Sequence, residues 1–369
     1  MTAVRPVRSG IIGTGFMGAV HTRAVRAAGG TVAAYAGRDL DRVADAAGRA
    51  GIERVLTPEA LITDPDIDVV HVCTPNSQHV QFTAAAIAAG KHVVCEKPLA
   101  LNADDAIALD RAARAAGVVN VVPFVYRYYP AVREARARIA RTDDRIWLAH
   151  GHYLQDWLAD RDAYNWRVGE GESRAFADIG VHWCDLFEFM SGHRISRLSA
   201  RSTRLHDART APHGEVPVET EDAVTMLFET DRGASGSVVI SQASRGRKNR
   251  LWIELDGAGS SYAFDQENPD RLEIGTAEGT LIVPKGVETM PDPEVGRYIT
   301  TPSGHAQGYQ DAFTLLMSEM ISAVRGHAVG GMPTFADGVR AARITDAVIA
   351  SSRQGGWADL DIAALGRIA

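Results

Sequence analysis

Gly10-Ile11-Ile12-Gly13-Thr14-Gly15-Phe16-Met17-Gly18 sets a Gly-x-Gly-x-x-Gly turn directly between an apolar strand end and a helix-like run. In such a turn the first glycine, Gly13, permits the sharp reversal. The second, Gly15, lets backbone approach a pyrophosphate, and the third, Gly18, lets helix pack on strand. Phe16 and Met17 then open the helix beside any bound dinucleotide. Glycine-rich turns are common, so the weight comes from context: several more strand-helix units follow. Residues 32–35, 69–73, 92–95 and 118–122 read as further buried strands, and the alanine-rich stretches 82–89 and 103–116 as helices. Gly90 and Gly117 follow those helices where a left-handed cap is expected. This rhythm predicts a doubly wound α/β sheet over 1–124.

The end of the second strand bears on the cofactor. An acidic residue there accepts bonds from the adenosine ribose of NAD, but this position falls at Gly37, followed by Arg38 and Asp39. A missing carboxylate followed by arginine suits a 2′-phosphate, which tips the expectation for NAD(P) toward NADP. The alternative is that Asp39 turns back to the ribose or N-caps the next helix.

Beyond Phe124 the pattern changes to longer alternating strands, at 147–157, 223–228, 236–240 and 251–255, with helix-like stretches at 179–190, 309–324 and 335–349. We expect these helices to cover one face of a large, mainly antiparallel open sheet. That gives a second, α+β domain over 125–369.

The chain has 369 residues, 46% hydrophobic and 23% charged, and a net charge of −7, so no electrostatic attraction to nucleic acid or an anionic membrane is expected. Arg245, Arg247, Lys248 and Arg250 form one basic run, read as a solvated hairpin turn. Cys73, Cys95 and Cys184 lack zinc-ligand spacing and suggest a reducing cytoplasm; no metal is expected. Neither a signal core nor a membrane span is visible.

In an open α/β sheet, ligands bind beyond the carboxyl ends of the strands, where Gly13, Pro75 and Lys97 all fall. Lys97 precedes Pro98 and is biased to extended backbone. Asp178 and His182 lie four apart and share a helix face, and an imidazole of pKa ~6.5 suits proton transfer from an alcohol near neutrality. Tyr153, Gln155 and Trp157 alternate toward one sheet face, and Trp166 and Arg167 lie in a polar stretch before Asp178. Each also has an ordinary reading: Lys97 as a surface lysine, Asp178 as a cap, His182 and the aromatics as packing. His71, His92, His150 and His193 are read as strand, surface or turn residues.

Cys95-Glu96-Lys97-Pro98, Asp178-Ile179-Gly180-Val181-His182, Thr74-Pro75-Asn76 with His79, and Tyr126-Arg127 occur in the order found in Gfo/Idh/MocA oxidoreductases. The sequence resembles that family over essentially its whole length. The resemblance implies an N-terminal Rossmann domain and a C-terminal α+β domain used for substrate and subunit contacts, in a homodimer or homotetramer. It implies cofactor contacts at Thr74, Pro75, Asn76, His79, Glu96 and Lys97, and catalysis by Lys97, Asp178 and His182. Tyr126, Arg127, Tyr153, Gln155, Trp157, Trp166 and Arg167 join Asp178 and His182 as substrate contacts. It also implies a fixed Lys97-Pro98 peptide, with cis as the option proline allows. The expected reaction is reversible hydride transfer from a secondary hydroxyl of a sugar, glycoside or cyclitol. Two rivals remain: redox-neutral glycoside cleavage through transient oxidation with retained NAD, and a non-catalytic dinucleotide sensor.

Overall fold

Ser9, Gly10, Ile11 and Ile12 are all buried, which identifies the first strand, β1 (Arg8–Ile12), as one covered on both faces. A computed structural model of the chain describes residues 5–142, 144–169, 171–212, 214–327 and 330–361. Its described residues divide into two units, one within 5–125 and 309–339, the other within 126–308 and 340–361.

In the first unit β1 is joined by β2 (Thr31–Ala36), β3 (Val55–Leu56), β4 (Val69–Val72), β5 (His92–Cys95) and β6 (Asn120–Val121). They form one parallel sheet in the order β3-β2-β1-β4-β5-β6. The order reverses between β1 and β4, the switch point where such sheets open a crevice at their carboxyl edge. Helices α1 (Phe16–Ala27), α2 (Leu40–Ala50), α3 (Pro58–Thr63), α4 (His79–Ala88) and α5 (Ala103–Ala116) connect the strands. Their ends follow local chemistry: Asn102 caps α5 at its start, and Gly117 closes it with φ 64°.

The helix Tyr309–Val324 belongs to this unit. Arg23 Nε donates to Gln310 Oε1 at 2.9 Å, and Gln310 Nε2 to the Val20 carbonyl at 3.3 Å, both on α1. Chain order had suggested that this helix covers the second sheet; its apolar side packs on α1 instead. Further along, Val122 N–H donates to the Pro333 carbonyl at 3.3 Å and Phe335 N–H to Asn120 Oδ1 at 2.8 Å.

The second unit contains α6 (Pro130–Thr142), β7 (Leu148–Leu154), α7 (Val181–Ser191) and strands β8 (Ile195–Thr203), β9 (Ala208–Ala211), β10 (Gly214–Pro217), β11 (Ala223–Thr230), β12 (Ser235–Ser241) and β13 (Arg250–Asp256). After them come β14 (Ser261–Asp265), β15 (Arg271–Thr276), β16 (Gly279–Pro284) and β17 (Trp357–Asp359). Nine strands form a sheet in the order β16-β15-β14-β13-β7-β12-β11-β8-β17, while β9 and β10 pair separately. Within the large sheet β7 and β12 pair in parallel and every other neighbouring pair is antiparallel.

On β11, Val224, Met226 and Phe228 face inward while Thr225 and Leu227 are exposed, the two-residue period of a half-covered strand. Phe228 meets Phe187 of α7 at 5.0 Å between ring centroids, and Trp183 donates its indole N–H to the Trp252 carbonyl at 3.0 Å. Gly151 makes that approach feasible, since a Cβ there would lie 2.3 Å from the Trp252 oxygen. The basic run is not a hairpin, because β7 lies between β12 and β13, so the loop crosses a strand end. Lys248 there reaches Asp156 at 2.7 Å and Arg245 reaches Asp160 at 2.7 Å.

Candidate active site

At Gly13, φ is +96° and a Cβ would sit 2.5 Å from the Cys73 carbonyl oxygen, so only glycine fits. Gly18 is equally constrained: a Cβ would fall 2.2 Å from the Gly13 oxygen. Gly15 differs, because a Cβ there would meet no protein atom within 4 Å. Nothing among the described residues demands glycine at this position; a pyrophosphate drawn close to the N-terminus of α1 would. The turn therefore fits a dinucleotide. Phe16 is 71% exposed beside it, and Met17 Sδ accepts from Tyr309 Oη at 3.8 Å.

At the end of β2, the Asp39 carboxylate accepts from Arg42 N–H at 3.1 Å and N-caps α2. Arg38 is exposed and makes no hydrogen bond or ion pair within the described residues. Following β4, Asn76 opens a short turn, Asn76–Gln78, after Thr74 and Pro75. His79, read from sequence as a cofactor contact, is buried and bonds two backbone carbonyls, Pro98 O at 2.7 Å and Thr74 O at 3.0 Å. It thus ties the turn after β4 to the turn after β5. Burial pushes its pKa down, against the two carbonyls. The Lys97-Pro98 peptide is cis. Glu96 is buried, with Oε2 accepting from Lys97 N–H at 3.3 Å and Oε1 3.0 Å from His21 Nε2.

In the second unit Asp178 lies on a single π turn, Phe176–Gly180, that runs straight into α7, where His182 sits in the first turn. Such wide turns recur at functional sites because they re-aim side chains within a helix. Asp178 Oδ2 accepts from Gln242 Nε2 at 2.7 Å, and Arg167 Nε lies 3.6 Å from Oδ1. The Arg167 guanidinium also stacks over Trp166 at 4.2 Å. The His182 ring is buried edge-on to Tyr126, centroids 5.2 Å apart.

From Tyr126 a polar chain continues. Its hydroxyl meets that of Tyr153 at 2.7 Å, and Tyr153 donates to Asn249 Oδ1 at 2.7 Å. Gln155 Nε2 donates to the same oxygen at 2.9 Å, and Trp157 Nε1 donates to Gln155 Oε1 at 2.7 Å. Burial raises the Tyr126 pKa, so its hydroxyl is a neutral hydrogen-bonding group at neutral pH. Tyr126, Tyr153, Gln155 and Trp157 are brought together. Arg127 points elsewhere: Nε donates to Asp185 of α7 at 2.8 Å, and the guanidinium lies over the Phe189 ring.

Sequence reading missed Gln242 and Asn249, single amides at strand ends whose partners are remote in sequence. His150, Glu254 and Asp256 on the sheet bring ligand-type atoms within 4.8 Å of one another, with His150 and Asp256 already 3.6 Å apart. The three cysteines are free thiols, and burial pushes Cys95 up to about 12.

A parallel sheet with this glycine turn, joined to a sheet unit presenting a carboxylate and an imidazole, defines a nucleotide-dependent oxidoreductase class. Residues 7–124 match the oxidoreductase family with an NAD-binding Rossmann fold, and residues 132–263 match the GFO/IDH/MocA C-terminal domain. The chain is 31% identical to levoglucosan dehydrogenase of Pseudarthrobacter phenanthrenivorans, over 95% of this chain and 97% of that one. It is 30% identical to inositol 2-dehydrogenase of Paracoccus denitrificans, over 95% of each. The solved levoglucosan dehydrogenase complex with NADH and L-sorbose superposes with a TM-score of 0.90 at 30% identity, covering 97% of this chain and 100% of that chain. The chain belongs to the Gfo/Idh/MocA oxidoreductase family.

Proposed function

We propose that the protein oxidises a secondary hydroxyl of a sugar, glycoside or cyclitol with a nicotinamide dinucleotide. The observation that carries this reading is the cluster at the carboxyl ends of β1, β4 and β5: a glycine turn open at Gly15, the Thr74-Pro75-Asn76 turn, and Lys97 on a peptide tied down through His79. Bound nicotinamide supplies the hydride acceptor. Lys97 donates a hydrogen bond to the substrate oxygen as negative charge develops there. His182 accepts the hydroxyl proton, and Asp178, held by Gln242, orients imidazole and substrate. Tyr153, Gln155, Trp157 and Asn249 offer hydroxyl, amide and indole groups suited to a polyhydroxylated ligand.

The finer part of the proposal is a preference for NADP, supported by Arg38, which is exposed while Asp39 is occupied as a cap. NAD is the competing choice, since the levoglucosan dehydrogenase relative was solved with NADH. Fluorescence titration of both cofactors decides it: Arg38→Ala should weaken NADP roughly ten- to hundred-fold and NAD little. Equal losses would remove the NADP assignment. The function itself is tested by following nicotinamide reduction over a panel of cyclitols, aldoses and glycosides. Glycoside cleavage with tightly retained cofactor and no net reduction would replace dehydrogenation with the redox-neutral reading.

A further inference from the structure

We infer that His21 is a positioning residue for the Glu96 carboxylate, and that Ser9 and His71 fix the tautomer in which it acts. The inference rests on the reading that Lys97, next in the chain, takes part in the chemistry. Four separate elements converge: Ser9 from β1, His71 from β4, His21 from α1 and Glu96 after β5. Ser9, His21 and His71 are fully buried and Glu96 is 5% exposed, so each polar atom must find its partner inside the protein.

The contacts form one line. Ser9 Oγ lies 3.0 Å from His71 Nε2, His71 Nδ1 lies 3.0 Å from His21 Nδ1, and His21 Nε2 lies 3.0 Å from Glu96 Oε1. Because the rings meet nitrogen to nitrogen, one Nδ1 carries hydrogen and the other is bare. With Glu96 ionised and both rings neutral, His21 presents Nε2–H to the carboxylate and so accepts at Nδ1 from His71. His71 is then bare at Nε2 and accepts the Ser9 hydroxyl. Every donor points toward Glu96.

The opposite sense requires one more proton, on Glu96 or as an imidazolium at His21, and it turns His71 around to donate to Ser9. An imidazolium would pair with Glu96 at 3.0 Å, but as a second buried charge it would also face the Phe313 ring, centroid 5.3 Å away. The neutral-ring arrangement satisfies the same three bonds without it, and burial independently disfavours charge on His71. Held by His21 at Oε1 and by Lys97 N–H at Oε2, the carboxylate fixes the Glu96-Lys97 peptide from which the lysine side chain starts.

The ring nitrogens of selectively 15N-histidine-labelled protein test this directly, with resonances assigned through His21→Gln and His71→Gln. We expect Nε2–H on His21 and the rarer Nδ1–H on His71; the reverse tautomers, or a cationic His21, overturn the proposal. Function gives a second test. Glutamine at 21 keeps an acceptor toward His71 and a donor toward Glu96, whereas leucine keeps neither. His21→Leu should lower kcat roughly ten-fold or more, with cofactor affinity by fluorescence nearly unchanged, and His21→Gln should restore most of it.

Cys73, Cys95 and His79 also feel the Glu96 charge, and all three are retained in both variants. Equal defects in the two variants, with no rescue by glutamine, would leave His21 a packing residue. Should His21→Leu not fold, Ser9→Ala serves: it takes the hydroxyl donor from His71 Nε2 while Nδ1–H stays held by His21, so the bare Nε2 resonance should shift with the Nδ1–H tautomer kept. An unchanged His71 spectrum there counts against the chain. Lys97→Met retaining turnover would sink the catalytic reading alone, leaving the tautomer result to judge this one.

Discussion

Lys97 illustrates how much a single side chain can be asked to do. If its charge serves only the developing alkoxide, Lys97→Met should nearly abolish turnover while cofactor titration stays within a few-fold of the parent. Parallel loss of both would make it a cofactor anchor. His182→Asn keeps shape and a hydrogen bond but cannot accept the proton. Oxidation should then slow by roughly 10²–10⁴ and the acidic limb of the pH–rate profile should flatten, both read in steady-state assays. Near-normal oxidation would move the base elsewhere. Lys97, Asp178 and His182 were singled out in the sequence because they sit in short local patterns. Gln242 was not, being 64 residues from the Asp178 carboxylate it holds. The His21-His71 pair left a weaker trace: Ser9 and His71 interrupt otherwise apolar strands buried on both faces, which is where a polar residue needs an explanation.

At the scale of elements, the alanine-rich helices and buried strands of the first unit were readable from composition and caps. The helix Tyr309–Val324 was legible in extent but not in partner, since an apolar stripe specifies that something covers it and not what. Likewise β12 and β13 looked like a hairpin because proximity in sequence usually means pairing, yet β7 separates them. What holds α7 is a buried charge cluster. Glu188 accepts from Arg340 Nη2 at 2.6 Å, from Arg194 Nη1 at 2.5 Å and from Ile195 N–H at 2.9 Å. Burial raises the carboxyl pKa, but the two guanidinium groups more than offset it, leaving the value lowered. A depressed folded pKa gives stability that is fully present above the ordinary glutamate range and is lost as pH falls through the folded value. Glu188→Gln should therefore cost about 3–5 kcal/mol near neutrality, because Arg340 is left buried and uncompensated. The deficit should shrink in acid below about pH 4, as measured by denaturant unfolding at a series of pH values. A constant deficit would show that the cluster acts through packing alone.

The whole molecule carries one more proposal, a homodimer or homotetramer assembled through the open face of the nine-stranded sheet. Leu227 and Val239 are 56% and 43% exposed, and the strand registers place them on the same face as His150, His152, Trp252 and Glu254. Exposed Leu227 and Val239, on one face with the part-buried Trp252 ring, suit a covering partner there. Leu227→Lys with Val239→Glu should leave the fold intact and shift sedimentation toward the monomer; an unchanged oligomer would place the contact elsewhere. The excursion of residues 309–339 into the first unit also bears on how the chain is made. On a ribosome adding ~5–20 residues per second, α1 waits about 10–40 s after residue 125 before the helix ending at Val324 has been synthesised. The unit that carries the glycine turn starts to form before the large sheet yet is closed only after most of that sheet's chain has been made, and a chaperone guarding the bare flank of α1 would have its work during that interval.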